Sequence, residues 1–516
     1  MKPGERLAVI DLGSNSFRLV VFTAGDGWWK RTDEIYEPVR IGEGLVASGK
    51  LGREPMARAM ASLDVFAQFA HAGGLGPQSI DAVATSAIRD AENANAFLHR
   101  ARERSQLPIR VLSREAEAHY GYLAAVNSTT LSDGCVLDLG GGSLQLVGVR
   151  ERLALQSGSW RVGTVRMSER FLPANGPAKR RQLEALREHV AEELAQADWL
   201  SDANAGGDGR LVGIGGTVRN LASAAQRAAG LPTFGVQGML LERQALDELV
   251  QRLAELPAAE RASVPGVKPA RADLILAGAV VVQGVLQAGG FDALEATEAG
   301  LREGVFFERL LGGGPAGGER TPLFADVRRA SVLNLASRYQ FDSAHTRHVA
   351  TLALGMFDEL ARLGLHDGDA RERELLWAAS MLHDIGMSVD YDDHHKHSRY
   401  LILNAGLPGF TPVEVAIVAQ AARYHRKGMP DPGPLRALFG DGDRERLDRC
   451  AVLLRLAEDL ERSRDQLVRG TSIAANDKDV ELRLIADIEP LVSRWAANRE
   501  TELFARAFHR ELAVAA

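Results

Sequence analysis

The chain has 516 residues, of which 46% are hydrophobic and 25% charged, and its formal net charge is −7. This length fits three or four globular domains, and the negative balance argues against a broad nucleic-acid-binding surface while permitting a focused anion site. Two cysteines, Cys135 and Cys450, are too few for a disulfide framework, so we expect a reducing, cytoplasmic setting. The apolar start is broken at Asp11, and the longest apolar run, Leu274–Leu286, is shorter than the ~20 residues that span a bilayer, so we predict neither a signal peptide nor a membrane partner.

Residues 1–128 are predicted to form a first mixed α/β lobe. Its first loop, Asp-Leu-Gly-Ser-Asn-Ser at Asp11–Ser16, joins two strand-like apolar runs. Glycine lets the backbone approach an oxyanion, hydroxyl and N–H groups donate hydrogen bonds to it, and an Asp at a strand end suits a divalent metal. We therefore predict metal binding by Asp11 and phosphate contacts from the loop residues Gly13, Ser14, Asn15 and Ser16.

A second anion-binding feature is predicted at residues 85–91. Thr85 and Ser86 end a strand-like run and open a helix. The N–H groups of a helix N-terminus favour an anion, and Arg89 could grip it with two hydrogen bonds. A helix cap with a solvated arginine is the alternative interpretation.

A predicted helix beginning after Ser113 carries two glutamates. Ser113 is a typical N-cap residue, and Glu115 and Glu117 follow it in the first turn. Because they are two residues apart, only one of them is expected to face a cleft. A solvated pair that interacts with the helix dipole is the alternative.

Residues 129–310 are predicted to form a second lobe, which repeats the first loop as Asp-Leu-Gly-Gly-Gly-Ser at Asp138–Ser143. Either loop alone is compatible with an ordinary hairpin turn, but a repeat that keeps the acid, the glycine and the hydroxyls at the same offsets favours a duplicated phosphate cradle. Neither loop is a Walker loop or a dinucleotide fingerprint. The second lobe adds Asp138 as a metal ligand and the phosphate contacts Gly140, Gly141, Gly142 and Ser143.

The composition changes after the second lobe. Residues 311–322 are predicted to be a linker because they are rich in Gly and Pro. Amphipathic helical patterns over 323–467 predict an all-α domain. The small α+β segment 468–516 is predicted to contain a hairpin around Asn476–Asp479 and to finish in a helix from Ile488 onward.

Six motifs occur in the order seen in the exopolyphosphatase/guanosine pentaphosphatase (Ppx/GppA) family, which the chain resembles. They are the two loops, Thr-Ser-Ala-Ile-Arg at 85–89, Glu117-Ala118, Gly-Ile-Gly-Gly-Thr at 213–217 and Gly-Leu-Arg-Glu-Gly at 300–304. The resemblance implies an α/β fold of two actin-like (RNase H-like) lobes facing a phosphate-binding cleft, followed by a helical extension. It also implies hydrolysis of a terminal phosphate with Mg²⁺, or with Mn²⁺ in its place.

The resemblance assigns the reaction chemistry residue by residue. Glu117 corresponds to the base that deprotonates or orients a water for in-line attack on the terminal phosphorus, and Arg89 to a group that holds phosphate oxygens. The glycine-rich run 213–217 corresponds to a position where nucleotide-binding relatives cradle a nucleoside, so the resemblance implies phosphate contacts from Gly215, Gly216 and Thr217. The alternative is that this run only shapes the cleft. Arg302 and Glu303 are expected to brace the two lobes.

The sequence departs from the family pattern at two positions. Gln145 stands where a Glu is common, so this third candidate metal ligand contributes no charge, and we expect Gln145→Glu to strengthen Mg²⁺ binding. His119 stands where an Arg is common and is mostly neutral at pH 7. Both departures weaken the expected hold on metal or substrate.

The helical domain resembles the HD phosphohydrolase superfamily, in which a His, an adjacent His-Asp pair and a distant Asp ligate a metal; Glu458 stands in place of that Asp here. The candidate ligands here are His345, His383, Asp384 and Glu458. Imidazole and carboxylate ligands suit Mn, Fe, Ni or Zn better than Mg. The alternatives are a retained fold without catalysis and a basic surface, built around His394–His397 and His425, that guides a polyphosphate tail.

The leading prediction is a Mg²⁺-dependent exopolyphosphatase, a homodimer, that releases orthophosphate from the ends of inorganic polyphosphate. The nearest alternative is hydrolysis of guanosine pentaphosphate. A sensor that binds polyphosphate or guanosine penta- or tetraphosphate without turnover is the non-enzymatic alternative, and HD-type phosphohydrolysis is a second enzymatic one. No nucleic-acid partner is expected.

Overall fold

The computed structural model describes residues 1–205, 209–312, 321–339 and 342–515. The chain divides into two compact units, Met1–Val327 and Arg328–Ala516. Residues 313–320, which make up most of the predicted linker, lie outside the described residues. Among the residues that are described, no helix is both long and apolar enough to cross a membrane.

The first unit begins with a five-stranded sheet and its helices. The elements are β1 (Arg6–Leu12), β2 (Phe17–Ala24), β3 (Trp29–Glu37), α1 (Leu45–Ser48), α2 (Arg53–Ala72), β4 (Ile80–Ala84), α3 (Ser86–Arg89), α4 (Ala94–Ser105), β5 (Ile109–Val111) and α5 (Arg114–Val126). The strand order is β3-β2-β1-β4-β5, in which β1 to β3 are antiparallel and β4 and β5 run parallel to β1. Residues 7–10 of central β1 are buried on both faces, which explains their unbroken apolar run.

A second sheet follows in the same unit. The elements are β6 (Gly134–Leu139), β7 (Leu144–Arg150), β8 (Leu153–Trp160), α6 (Thr164–Phe171), α7 (Arg180–Leu194), α8 (Leu200–Ala205), β9 (Arg210–Ile214), α9 (Gly216–Ala228), β10 (Met239–Glu242), α10 (Arg243–Glu255), α11 (Ile275–Gly289), β11 (Ala293–Ala296) and α12 (Leu301–Leu310). The order β8-β7-β6-β9-β11, with β10 at the edge, repeats the order of the first sheet. This duplicated topology confirms the predicted α/β fold with two actin-like lobes.

Two helices, α5 and α12, fill the space between the two sheets. Val9, Leu123, Val136, Ile214 and Phe306 belong to one buried cluster, which therefore joins both sheets to both helices. The helices pack closely because α12 carries a glycine, Gly304, at the crossing. A Cβ at that position would collide with the carbonyl oxygen of Tyr120 on α5. The long apolar run Leu274–Leu286 lies almost entirely in α11, and its apolar side chains are buried.

The second unit is mainly helical and ends in a small sheet. The elements are α13 (Val327–Ser337), α14 (Ser343–Arg362), α15 (Ala370–Leu382), α16 (His394–Ala405), α17 (Pro412–Tyr424), α18 (Asp443–Leu460), β12 (Gly470–Ala475), β13 (Asp479–Ile485), α19 (Leu491–Ala497), α20 (Thr501–Phe508) and β14 (Glu511–Ala515). The predicted hairpin is β12 and β13. The predicted helical ending is wrong, because β14 follows the last helix and pairs in parallel with β13, burying Leu512.

Candidate active site

The two predicted loops border one cleft of about 110 Å³ in the first unit. Each loop is closed by the same hydrogen bond, in which the glycine N–H donates to the carbonyl of the last serine. The distances are 3.2 Å from Gly13 to Ser16 and 3.0 Å from Gly140 to Ser143. The predicted residues that line the cleft are Asp11, Gly13, Ser14, Asn15, Ser16, Thr85, Ser86, Glu117, Asp138, Gly140, Gly141, Gly215 and Gly216. The loops are thus two walls of a single site.

Three predicted phosphate contacts lie behind this lining. Gly142 faces the first lobe, where a Cβ would lie 2.5 Å from Ser86 Oγ, so this glycine allows the two loops to approach each other. Ser143 Oγ accepts a hydrogen bond from the Gln145 amide. Thr217 is 1% exposed and packs beside Gly278 of α11. These three residues shape the cleft from behind.

Three carboxylates converge on the cleft: Asp11 near the end of β1, Asp138 near the end of β6, and Glu117 in the first turn of α5. Burial raises the pKa of Asp11, although Arg302, which donates to its Oδ2 at 3.1 Å, opposes the rise. Burial, reinforced by the charges of Glu117 and Asp11, raises the pKa of Asp138 to about 7. A hard divalent cation with oxygen ligands fits among carboxylates that otherwise repel one another.

The start of α5 places Glu117 in the cleft. Ser113 Oγ accepts a hydrogen bond from the N–H of Ala116 at 3.1 Å, so Ser113 is the predicted N-cap. Glu117 is buried and lines the cleft, whereas Glu115 is exposed. One glutamate of the pair therefore faces the site, as the two-residue spacing predicted.

Arg89 holds this glutamate and does not line the cleft. Its Nη1 donates to Glu117 Oε2 at 2.6 Å and to the carbonyl of Leu112 at 3.0 Å. Burial raises the pKa of Glu117, while the charge of Arg89 lowers it. The guanidinium thus grips the buried carboxylate, and the expected hold of Arg89 on a phosphate stays a prediction.

Four arginines face the carboxylates: Arg18, Arg219, Arg271 and Arg302. Burial, together with the neighbouring charge of Arg302, lowers the pKa of Arg219 to about 10, and burial also lowers the pKa of Arg271. Gly216 leaves room for the Arg271 guanidinium, which a Cβ would strike. Desolvated cations this close together favour a bound anion of high charge.

Sequence reasoning missed the role of three of these arginines. Arg219 follows the predicted glycine-rich run by two residues, and Arg18 follows the first loop by two residues, so proximity to a motif was the available signal. Arg271 ends a short 3₁₀ helix, Pro269–Arg271, before α11, and no motif in the sequence marks it. Arg302 was expected to brace the lobes, and its bond to Asp11 joins α12 to β1.

Gln145 is buried beside Asp138 and does not line the cleft. The two residues are direct partners across β6 and β7, so their side chains lie on the same face of the sheet. Gln145 Nε2 donates to Ser143 Oγ at 2.8 Å and to Ser159 Oγ at 3.4 Å. Its Oε1 is buried and has no hydrogen-bond partner among the described residues. The amide oxygen is therefore available to a ligand on the Asp138 side.

His119 lies on α5 outside the cleft lining. Its Nε2 is 3.9 Å from Glu308 Oε1, and its side chain is 43% exposed. Burial lowers the pKa of His119, although Glu308 opposes this. The departure from the family pattern at this position therefore changes a contact with α12 and leaves the cleft lining unchanged.

The four ligands predicted in the helical domain come together in the second unit. His345 Nε2 and His383 Nε2 lie 3.0 Å and 3.3 Å from Glu458 Oε2. Asp384 Oδ2 lies 4.0 Å from His345 Nε2. The relation of this unit to HD phosphohydrolases stays a prediction.

The alternative of a basic surface around His394–His397 and His425 is wrong for three of its histidines. His394, His395 and His425 are all buried. His394 and His425 face Asp384 because they project from α16 and the end of α17 into the helical core.

Two family models match this chain. The model of the Ppx/GppA phosphatase family matches residues 20–312, and the model of Ppx/GppA phosphatase domain III matches residues 327–502. The first match alone covers more than half of the chain and takes in most of both lobes, from β2 onward. The match therefore confirms the resemblance drawn from the six motifs.

Two solved structures are similar to part of this chain. The Ppx/GppA family member from Aquifex aeolicus is 27% identical, with a TM-score of 0.51, over 60% of this chain and 99% of the other. An exopolyphosphatase from Cytophaga hutchinsonii is 22% identical, with a TM-score of 0.55, over the same shares, and at that identity it supports the fold alone. On the family match and this fold, the chain belongs to the Ppx/GppA phosphatase family.

Proposed function

We propose that the first unit is an exopolyphosphatase that releases orthophosphate from the end of inorganic polyphosphate. Phosphatase activity follows from the family, and the choice of substrate is our proposal. The observation that carries it is the pairing, in one cleft, of three carboxylates with Arg18, Arg219, Arg271 and Arg302. A terminal phosphoryl group between the loops, with the rest of a polyanion directed at the arginines, would pair its negative charge with these cations, and a divalent cation would balance the carboxylates.

The catalytic base in this proposal is Glu117. When ionised, it accepts a proton from the water whose oxygen attacks the terminal phosphorus, while Arg89 fixes the orientation of its carboxylate. The N–H and hydroxyl donors of the two loops hold the non-bridging oxygens of the terminal phosphate, and the bond to the bridging oxygen of the leaving chain breaks.

The residues Asp11 and Asp138 would hold Mg²⁺ or Mn²⁺, with the Gln145 amide as a further candidate. The fit rests on the all-oxygen donor set, on the raised pKa of both aspartates and on the partnerless Oε1 of Gln145. A metal bound there would neutralise part of the negative charge of the phosphate.

The proposal is tested by phosphate release from long-chain polyphosphate with purified protein and Mg²⁺. We expect Glu117→Gln to lower kcat by roughly 10²- to 10⁴-fold, the usual contribution of a positioned acid or base. Glu115→Gln is the matched control, since this exposed neighbour lies in the same helical turn. Equal rates for Glu117→Gln and the wild type would exclude the assigned base.

The same preparation separates the competing functions. Faster turnover of guanosine pentaphosphate than of polyphosphate would favour the alternative hydrolase. Calorimetric binding of either compound without phosphate release would favour a sensor. Release of orthophosphate from polyphosphate, lost in Glu117→Gln and kept in Glu115→Gln, is the expected result.

A further inference from the structure

We propose that the second unit binds two divalent transition-metal ions at a buried centre built from six side chains. The ligands are His345, His383, Glu458, Asp384, His394 and His425. The sequence suggested one metal with four ligands. The structure instead groups the ligand atoms as two adjoining triads, and two of the six residues were not candidates for metal binding.

The first triad is His345, His383 and Glu458. Its ligand atoms all lie within 4.8 Å of one another, and both imidazole Nε2 atoms approach the same carboxylate oxygen, at 3.0 Å and 3.3 Å. Ligands about 2.0–2.1 Å from a metal are separated by roughly 3.0–3.4 Å when they are adjacent in octahedral or tetrahedral geometry. The spacing therefore suits one ion.

The second triad is Asp384, His394 and His425. Asp384 Oδ1 lies 3.4 Å from His394 Nε2 and 3.7 Å from His425 Nε2, and the two nitrogens are 3.2 Å apart. All three ligand atoms again lie within 4.8 Å of one another. This spacing suits a second ion.

Three of the histidines are oriented in the way that metal ligands usually are. In each, Nδ1 lies within hydrogen-bond distance of the backbone carbonyl three residues earlier; the pairs are His383 with Ser380 (2.7 Å), His394 with Tyr391 (2.8 Å) and His425 with Ala422 (2.6 Å). A carbonyl only accepts, so Nδ1 carries the hydrogen and Nε2 of the neutral ring presents a lone pair. The lone pairs of His394 and His425 then repel each other unless a cation lies between them.

The first triad also holds polar atoms that the described protein leaves without hydrogen bonds. They are both ring nitrogens of His345, Nε2 of His383 and Oε2 of Glu458. The two histidines are 2% and 0% exposed, so these atoms lie away from bulk solvent. Buried polar atoms without hydrogen bonds are rare in folded proteins, and a bound metal would satisfy those that converge here.

Asp384 links the triads. Its Oδ1 faces the second triad, while its Oδ2 lies 4.0 Å from His345 Nε2 of the first. A carboxylate bridging two ions is consistent with the separation of about 3.5–4 Å that is common in two-metal sites. The ligand set of nitrogen and oxygen favours ions such as Mn²⁺, Fe²⁺ or Zn²⁺ over Mg²⁺.

The charge of this centre indicates its ligand class. Two divalent ions would exceed the two carboxylate charges of Asp384 and Glu458, and Arg464 adds a further positive charge where its Nη2 donates to Asp384 Oδ2 at 2.8 Å. Arg464 is 39% exposed, so it lies on the side open to solvent. An anion with phosphate oxygens, such as a phosphate ester, is the class of ligand that would complete the coordination.

The test is the metal content of the full chain carrying Asp138→Asn, which weakens the separate oxygen site of the cleft. After equilibration with Mn²⁺ and gel filtration, we expect two equivalents per chain by elemental analysis. Electron paramagnetic resonance should show an exchange-coupled Mn²⁺ pair, a readout that needs no change in the second unit. One uncoupled equivalent, or none, would overturn the proposal.

Variants assign the ions to the triads. His394→Gln combined with His425→Gln should reduce the content to one equivalent and remove the coupling, while His397→Gln on the same helix should keep both. Circular dichroism identifies any variant that has lost its helices. Two equivalents retained after the double substitution would contradict the assignment.

Discussion

At the scale of single residues, the contact between Arg89 and Glu117 sets the pH at which the base is available. Burial raises the pKa of Glu117 and the Arg89 charge lowers it, so removing that charge moves the pKa further upward. A protonated Glu117 cannot accept a proton. We therefore expect Arg89→Gln to shift the acidic limb of the kcat–pH profile to higher pH.

The control for this prediction is Arg114→Gln, an exposed arginine one residue after the N-cap. Arg114→Gln should leave the acidic limb of the kcat–pH profile at the same pH as in the wild type. A uniform loss of rate in Arg89→Gln, with an unmoved limb, would mean that Arg89 acts only on the fold.

Gln145 offers a second prediction at this scale. A carboxylate in place of its amide would add a charged oxygen on the face of the sheet that carries Asp138. We expect Gln145→Glu to lower the Mg²⁺ concentration needed for half-maximal phosphate release. An unchanged metal titration would place Gln145 outside the metal shell.

The site residues that could be predicted from the sequence are those whose functional neighbours lie close to them in the chain. The two loops carry their glycine, hydroxyl and acid within six positions, and Glu117 follows its N-cap within one turn. Arg271 was not predictable, because its place depends on the space left by Gly216, which is distant in sequence. Likewise the burial of His394 cannot be inferred from a run of polar residues without the packing of α16 on α17.

At the scale of elements, the crossing of α5 and α12 carries both Glu117 and Arg302. The crossing is close because Gly304 lies against the Tyr120 carbonyl. Gly304→Ala should separate the helices, lower the free energy of unfolding by about 1–3 kcal/mol, as overpacking typically does, and reduce kcat through misplacement of Glu117. Chemical denaturation and phosphate release measure the two effects.

The comparison variant is Gly355→Ala, in the middle of α14. This glycine is exposed and a Cβ there meets nothing within 4 Å. The higher helix propensity of alanine should raise stability by about 0.5–1 kcal/mol and leave kcat unchanged. Equal stabilisation by both substitutions would contradict the close crossing.

Elements with a long periodic pattern were predictable, and short ones were less so. The apolar run of α11 and the hairpin of β12 and β13 follow their patterns directly. The last strand, β14, has five residues and depends on a parallel partner earlier in the chain, so its pattern alone did not distinguish it from a helix end.

At the scale of the whole molecule, polyphosphate should bind through the first unit. A ligand present at 100 times its Kd stabilises the folded state by about 2.7 kcal/mol. We expect polyphosphate with EDTA, which prevents turnover, to raise the unfolding temperature of the wild type and of Lys427→Gln equally. Arg271→Gln should reduce the shift, because it removes a cation from the cleft.

The pairing of these variants distinguishes two places for the polyphosphate tail. Lys427 is exposed on the second unit and belongs to the alternative basic surface for a polyphosphate tail. If the thermal shift were lost in Lys427→Gln and kept in Arg271→Gln, polyphosphate would bind to the second unit and not to the cleft.

The bond between Asp11 and Arg302 has a consequence for the order in which the protein is made. Its partners are 291 residues apart in the chain, and α12, which carries the arginine, packs on α5 between the sheets. At about 5–20 residues per second, roughly 15–60 s of translation separates the two. A nascent first lobe can therefore pair its strands, with Arg18 across from Asp11, long before Asp11 acquires its bond to Arg302. The cleft is completed only when the last helix of the second lobe has been made.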